Sequence, residues 1–274
     1  MGIFITLTTD FGLSDGYVAA RRGVISSINP EATIVDICHT IQPQNIREAA
    51  FVFSTAYSFF PLYSIHLVVV DPGVGTNRRA IILKTPRAYF VGPDNGVFSY
   101  VIDAFSAQPV PDTRLVKPGA EMQVYAITKS GYWRRPVSNT FHGRDIFAPI
   151  AASLSLGLMA SDLGDRIDTV TAFQIPHPEQ EENLIQGNIL HIDNFGNIIT
   201  DLRESTLSTL GQSVTITVGD YQIEGLVQAY ADKEGPLALF GSSGYLEISL
   251  PDANAGAFLK AKVGDKVIVK SDAK

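Results

Sequence analysis

Apolar residues in the first two-thirds of the chain come in short continuous runs that alternate with segments of helical spacing. The runs include IFITL at residues 3–7, IHLVVV at 65–70 and AIIL at 80–83, and such runs are typical of strands buried on both faces. Segments 15–28 and 46–60 instead place apolar residues three or four positions apart. This alternation predicts an α/β domain, a mainly parallel sheet with helices on both faces.

The pattern changes after about residue 174. Residues 176–183 read PHPEQEEN, a polar stretch with two prolines that is typical of a linker. Beyond it, short alternating runs are separated by turns rich in Gly, Asp and Ser, with little helical spacing. We therefore expect an α/β domain over residues 1–173 and a smaller all-β barrel or sandwich over residues 183–274.

Polar loops stand where the predicted strands end. TTDFG contains Asp10, DPGVGTNRR begins at Asp71, and GPDNG contains Asp94 and Asn95, while NTFHGRD places His142 just before a helix. In open parallel sheets, ligands bind outside the carboxyl ends of the strands, and histidine is the side chain that handles protons near neutral pH. Together these loops predict a small-molecule site.

Asp71 directly follows an apolar run, so its carboxylate is expected at the end of a buried strand. A carboxylate that is partly withdrawn from water needs a cation or hydrogen-bond donors to remain ionised. Arg78 or Arg79 could return across the tight loop to supply that charge. The residues alone allow either a structural ion pair or a reactive group.

Composition removes several classes of function. A net charge of −7 disfavours a nucleic-acid partner, because such proteins present a basic face. The single cysteine, Cys38, predicts a reducing compartment, the cytoplasm, and its strand-like surroundings favour a small core residue over a pair with His39. The five histidines lack metal-site spacing, so no metal is predicted. Apolar runs fall well short of the ~20 residues of a membrane span, so no membrane partner is expected.

Seven motifs, in order along nearly the whole chain, carry a family likeness. They are TLTTDFG, VDICHTIQPQNIREAAF, LVVVDPGVGTNRRAI, FVGPDNGVFS, TFHGRDIFAPIAA, HIDNFGNIIT and GSSGYLEIS. The chain resembles the S-adenosyl-L-methionine (SAM) hydroxide adenosyltransferases, the SAM hydrolases related to the SAM-dependent fluorinase and chlorinase. The resemblance implies a homotrimer that uses no cofactor and binds SAM between the N-terminal domain of one subunit and the C-terminal domain of the next.

The resemblance also implies roles for the residues of the polar loops. The catalytic set of the family falls on Asp71, Arg78 and His142, and Asp10 matches the carboxylate that holds the ribose hydroxyls. The remaining candidates for substrate binding, in chain order, are Asn95, Asp193 near the methionine amine, Phe195 as an apolar wall, Asn197 and Tyr230 beside the adenine, and Ser242 and Ser243 near the methionine carboxylate.

Departures from the halogenases favour water as the nucleophile. Where the halogenases place a tyrosine and a threonine around the halide, this chain has Asp71 and Val74, and where they place a serine donor it has His142 followed by Gly143. An anionic Asp71 would repel a halide. The expected reaction is attack of water or hydroxide on C5′ of SAM, giving adenosine and L-methionine. A SAM-dependent halogenase and a non-catalytic SAM- or adenosine-binding protein remain as alternatives.

Overall fold

The structure, a computed structural model, describes residues 2–106, 115–210 and 213–271. The chain divides into two compact units, an N-terminal unit of residues 1–175 and a C-terminal unit of residues 176–274. The outer limits of the two predicted domains, residues 1 and 274, fall outside the described residues. No helix in the described ranges is both long enough and apolar enough to cross a membrane.

The N-terminal unit alternates strands and helices. Its strands are β1 (Phe4–Thr9), β2 (Thr33–Cys38), β3 (Ser64–Val69), β4 (Ala80–Lys84), β5 (Ala88–Pro93), β6 (Leu115–Val116), β7 (Gln123–Ala126), β8 (Asp165–Ile167) and β9 (Val170–Thr171). Its α-helices are α1 (Tyr17–Ile28), α2 (Ile46–Ser54), α3 (Ser99–Ala104), α4 (Ala148–Ser155) and α5 (Ala160–Leu163), and a π-helical turn, Gly143–Phe147, runs directly into α4.

Seven of these strands form one sheet in the order β2-β1-β3-β5-β4-β7-β8. The strands β2, β1, β3 and β5 are parallel, and β4, β7 and β8 extend the sheet antiparallel at one side. Thr9 pairs with Val69 in the register of β1 and β3. Asp10 follows β1 directly and Asp71 comes two residues after the end of β3, so both lie at the carboxyl edge of the sheet.

Both faces of this sheet are covered, as the continuous apolar runs predicted. Val68 of β3 packs in a cluster with Phe53 of α2 on one face, and its neighbour Leu67 packs with Ile25 of α1 and Ile150 of α4 on the other. All six residues of β3 are buried. The predicted fold class, a mainly parallel α/β sheet with helices on both faces, is confirmed.

The C-terminal unit is built almost entirely from antiparallel strands. They are β10 (Glu179–Glu181), β11 (Leu184–Ile192), β12 (Ile198–Arg203), β13 (Val214–Val218), β14 (Tyr221–Glu224), β15 (Leu237–Phe240), β16 (Tyr245–Ser249) and β17 (Lys266–Ser271), with short helices α6 (Glu204–Leu207) and α7 (Ala255–Leu259). Seven pair in the order β14-β13-β17-β11-β12-β16-β15, and β10 joins β11. The sheet curls into a barrel-like form around Ile185, Val214 and Ile248, which confirms the predicted all-β domain.

Candidate active site

Arg78 returns across the tight loop after β3 to pair with Asp71. Its Nε donates to both carboxylate oxygens, at 2.9 and 3.0 Å, and its Nη2 also contacts Oδ2. The Asp71 side chain is 4% exposed and that of Arg78 is 11% exposed, so the pair is held away from water and is bidentate. Arg79 turns to another carboxylate, that of Asp94, with its Nε 2.6 Å from Oδ2.

Two glycines of the DPGVG loop allow this return. Gly75 has φ +78°, in the left-handed region, and a Cβ there would lie 2.5 Å from the carbonyl oxygen of Asn139. A Cβ at Gly73 would lie 3.2 Å from Cγ of Arg78. Side chains at these positions would push the loop away from both Arg78 and the segment that carries His142.

His142 stands at the start of the π-helical turn and faces the ion pair. Nη2 of Arg78 lies 3.0 Å from Nδ1 of His142. Because a guanidinium only donates hydrogen bonds, Nδ1 accepts and the neutral ring carries its proton on Nε2. Burial and the charge of Arg78 lower the pKa of His142, against the opposing effects of Asp71 and Asp145. The ring is therefore neutral near pH 7 and offers an N–H donor at Nε2.

A cavity of about 610 Å³ lies against these groups in the N-terminal unit, a size typical of small-ligand sites. It brings together Asp10, Asp71 and His142, and its remaining lining residues are Phe11, Tyr17, Pro43, Gln44, Val69, Pro72, Val74, Ser138, Thr140, Phe141, Gly143 and Arg144. Asn95 instead braces the chain beside Asp71, since its Nδ2 donates to the carbonyl of Val70 at 2.9 Å and its Oδ1 accepts from the amide of Val97.

Asp10 is held at the edge of this cavity by the loop after β2. Its Oδ2 accepts the backbone N–H of Gln44 at 2.8 Å. The loops after β1 and β2 are further joined because Thr9 Oγ1 lies 2.7 Å from Nδ1 of His39, and the amide of Gly12 donates to the carbonyl of His39. His39 is thus a structural link between the two loops, and Cys38 next to it packs against the apolar cluster.

Sequence reasoning missed an aromatic wall of the cavity. Phe11, Tyr17 and Phe141 meet edge to face, with ring centroids 5.3 to 6.0 Å apart. The available signal was the aromatic residue inside two of the polar loops, DFG and TFHG. Such a wall offers an apolar surface for a flat or aliphatic part of a ligand.

In the C-terminal unit, Asp193 organises the loop between β11 and β12. Its Oδ1 accepts the amides of Phe195 and Asn197, each at 2.9 Å, and its Oδ2 accepts from Nδ2 of Asn197 at 3.0 Å. The ring of Phe195 is left 77% exposed. The carboxylate of Asp193 therefore holds the backbone of this loop and the side chain of Asn197.

A second cavity, of about 560 Å³, belongs to this unit. It brings together three of the sequence candidates, and its lining residues are Phe195, Asn197, Tyr230, Ser249, Leu250, Pro251, Asp252 and Ala253. Ser242 and Ser243 lie apart from it, exposed in the turn between β15 and β16.

Arg21 of α1 lies fully buried behind the first cavity. Its Cζ is 5.1 Å from the ring centroid of Phe11, and its Cδ would be 3.3 Å from a Cβ at Gly143. Among the residues that the structure describes, none of its side-chain nitrogens has a hydrogen-bond partner. Burial lowers the pKa of Arg21 to about 9, opposed by the charges of Asp36 and Asp10.

We expect Arg21→Met to raise the melting temperature, because a buried charge without hydrogen bonds destabilises the folded state and methionine fills a similar volume. Each kcal/mol gained corresponds to about 2–4 °C in a protein of this size. Thermal unfolding followed by circular dichroism measures the shift. The control is Arg22→Met, which removes only an exposed pair with Asp36 and should change little. A lower melting temperature for Arg21→Met would mean that the guanidinium stabilises the fold.

The chain belongs to the SAM hydroxide adenosyltransferase family. Residues 5–164 match the family's N-terminal domain and residues 187–268 its C-terminal domain. It is 34% identical over 270 residues to a protein of Salinispora tropica named (R)-S-adenosyl-L-methionine hydrolase, with 97% of each chain covered. It is 35% identical over 257 residues to a protein of the same name from Thermus thermophilus, covering 93% of this chain and 95% of the relative.

More distant and structural relatives agree with this placement. A fluorinase of Nocardia brasiliensis is 25% identical over 303 residues, with 97% of this chain and 96% of the relative covered. The crystal structure of an uncharacterized conserved protein from Thermotoga maritima superposes with a TM-score of 0.87 at 34% identity, over 97% of this chain and 99% of that one. In the described part of this chain, no three His, Cys, Asp or Glu residues are grouped to hold a metal ion.

Proposed function

We propose that this chain hydrolyses S-adenosyl-L-methionine by attack of water or hydroxide on C5′, giving adenosine and L-methionine. The observation that carries the proposal is the contact of Asp71, Arg78 and His142 at a cavity that Asp10 also lines. The full-length relatives named as hydrolases, at 32–35% identity, support it further.

Hydrolysis of SAM at C5′ requires an activated nucleophile, whereas the leaving group needs no assistance. When oxygen bonds to C5′, the C5′–S bond breaks and its electron pair returns to the sulfonium, so methionine leaves as a neutral thioether and no general acid is needed. Arg78 donates a hydrogen bond to Nδ1 of His142, so the proton of the neutral ring is on Nε2. This Nε2–H donates a hydrogen bond to the attacking water and orients it. The carboxylate of Asp71 accepts the proton of that water. Positioning of this kind in a buried site lowers the barrier substantially.

The charges at the site favour hydrolysis over halogenation. Asp71 is an anion at the cavity wall, and a carboxylate so placed repels a halide nucleophile while it accepts a hydrogen bond from water. Gly143 adds no side-chain donor next to His142. The fluorinase relatives are also the more distant ones, at 24–25% identity.

The substrate is held, in this proposal, by groups from both units. Asp10 accepts hydrogen bonds from the ribose hydroxyls, while Phe195, Asn197 and Tyr230 receive the adenine. Asp193, Ser242 and Ser243 bind the amino-acid end, and Asn95 supports the Asp71 loop. The reaction takes place in the cytoplasm, as the single cysteine suggests, with SAM as substrate and without a cofactor.

We further propose a homotrimer in which the N-terminal unit of one subunit faces the C-terminal unit of the next. The support is the division of candidate residues between two units and the membership in the family. Light scattering coupled to size exclusion should give three times the mass of the 29.6 kDa chain. A monomer that turns over SAM would contradict this assembly.

The proposed function is tested by incubating the purified protein with SAM and measuring adenosine and methionine. We expect the two products in equal amounts. Because the relative from Salinispora tropica is named for the (R) form of SAM, the two sulfonium epimers should be assayed separately. Chloride added to the reaction should give no chloroadenosine, and its appearance would favour the halogenase alternative. Tight binding of SAM without any product would identify a binding protein instead.

A further inference from the structure

A buried carboxylate lies beneath the second cavity. Glu247 of β16 is 6% exposed, and its Oε1 accepts two hydrogen bonds, from the hydroxyl of Tyr230 at 2.6 Å and from that of Ser249 at 2.9 Å. Tyr230 and Ser249 both line the cavity. A Cβ at Gly241 would collide with Oε2, so the absence of a side chain there leaves room for the carboxylate.

The direction of these hydrogen bonds decides what the cavity presents to a ligand. A hydroxyl has one proton and two lone pairs, and a carboxylate only accepts. Since Glu247 takes the protons of both hydroxyls, Oη of Tyr230 and Oγ of Ser249 turn only lone pairs toward the cavity. The hydrogen bond to Glu247 also raises the pKa of Tyr230 to about 12, so the phenol keeps its proton at physiological pH.

Two other residues that line the second cavity, Phe195 and Asn197, suit the binding of a flat ring. The 77% exposed Phe195 offers an aromatic face for stacking. Asn197 is held in place because its Nδ2 donates to Asp193. Two acceptor oxygens beside an aromatic surface match a ring that carries an amino group, and they oppose one that carries a carbonyl at the same position.

We propose that Glu247 determines the base specificity of this enzyme: by holding the protons of Tyr230 and Ser249, it makes the cavity select a 6-aminopurine and reject a 6-oxopurine. This inference rests on the proposed function, which brings a nucleoside to the C-terminal unit. Glu247 acts through the two hydroxyls and is therefore a positioning residue.

The test compares binding of adenosine and inosine by calorimetry. Inosine carries a carbonyl in place of the amino group, and sites that hydrogen-bond a polar group discriminate strongly against analogues that leave it unpaired. We expect the wild type to prefer adenosine by about 100-fold or more. Glu247→Gln should reduce this preference at least tenfold, because the amide of glutamine can donate to one hydroxyl oxygen and free that hydroxyl to donate into the cavity.

A matched control makes the same chemical change elsewhere in the unit. Glu224 of β14 is exposed, and Glu224→Gln should keep the wild-type preference. If Glu247→Gln fails to fold, Tyr230→Phe replaces it, since loss of one acceptor oxygen should weaken adenosine binding and leave inosine binding unchanged or improved.

Three outcomes would overturn the inference: equal binding of the two nucleosides by the wild type, an unchanged preference in Glu247→Gln, or binding of neither nucleoside. Hydrolysis of SAM is measured on the same preparations. If SAM is hydrolysed while adenosine and inosine bind equally, only this inference fails. If adenosine is selected but SAM is not hydrolysed, only the proposed function fails.

Discussion

Replacing Asp71 with asparagine is expected to lower the rate of SAM hydrolysis by roughly 10²–10⁴-fold, the typical cost of losing a general base. Asparagine retains the shape of the side chain but loses the charge that supports removal of the proton from water. SAM should still bind, because the ribose and the amino-acid end are held by other residues. Single-turnover kinetics with excess enzyme measures the chemical step without product release.

The competing explanation is that Asp71 and Arg78 form a structural pair only. Breaking a buried ion pair destabilises a protein by about 3–5 kcal/mol, so activity could fall simply because less of the protein is folded. Melting temperature and single-turnover rate should therefore be measured on the same samples, and the rate expressed per folded molecule. Arg78→Ala should behave like Asp71→Asn, and Arg79→Ala should be milder.

The chain supplies a matched control in another ion pair with a buried carboxylate. Asp94 is paired with Arg79, its side chain is 2% exposed, and it also accepts the amide of Thr171. Asp94→Asn should lower the melting temperature, while the single-turnover rate per folded molecule stays at the wild-type value. Folded Asp71→Asn with the full rate, or equal losses per folded molecule in the two variants, would overturn the catalytic role of Asp71.

Asp10→Ala is expected to weaken binding of adenosine by about tenfold to a hundredfold, which corresponds to losing a hydrogen bond to a charged group worth ~1.5–3 kcal/mol. Calorimetry with adenosine avoids turnover during the measurement. Asp10→Asn, which keeps an acceptor for the amide of Gln44, should fall between wild type and alanine. If Asp10 only secures the Gln44 loop, the alanine variant will melt lower with unchanged affinity, and the ribose assignment is wrong.

The residues alone predicted that Asp71 needs a cation, but they did not decide whether Arg78 or Arg79 supplies it. The two arginines are adjacent at the end of a turn, and neighbouring residues that enter a strand point to opposite sides. Which one reaches Asp71 depends on the course of the loop, and that course depends on the close approach of Gly75 to Asn139. Such a contact between distant segments leaves no periodic signal in the sequence.

The parallel half of the sheet was predicted correctly, whereas the antiparallel pairing of β5 with β4, β4 with β7 and β7 with β8 was not foreseen. A buried strand such as AIILK has the same apolar pattern in either direction, so its orientation is set by connections rather than by composition. The burial of an arginine in helix α1 was likewise not predicted. Of its two adjacent arginines, Arg22 has a side chain that is 43% exposed and Arg21 is fully buried, although arginine is rarely buried without a partner.

Glu247 was missed for a related reason. In YLEIS the apolar Leu246 and Ile248 face the core, so the alternation places Glu247 and Ser249 on the opposite face, where solvent is the ordinary expectation. In the structure both residues are buried, with Glu247 6% and Ser249 1% exposed, and the hydroxyl of Tyr230 donates to Glu247.

The most direct test of attack by water on C5′ is a single turnover of SAM in ¹⁸O-labelled water, with the products analysed by mass spectrometry. We expect the label on the 5′-oxygen of adenosine, unlabelled methionine, and no chloroadenosine when chloride is present in the same reaction. Adenosine without the label, or label found in methionine instead, would contradict attack of water on C5′.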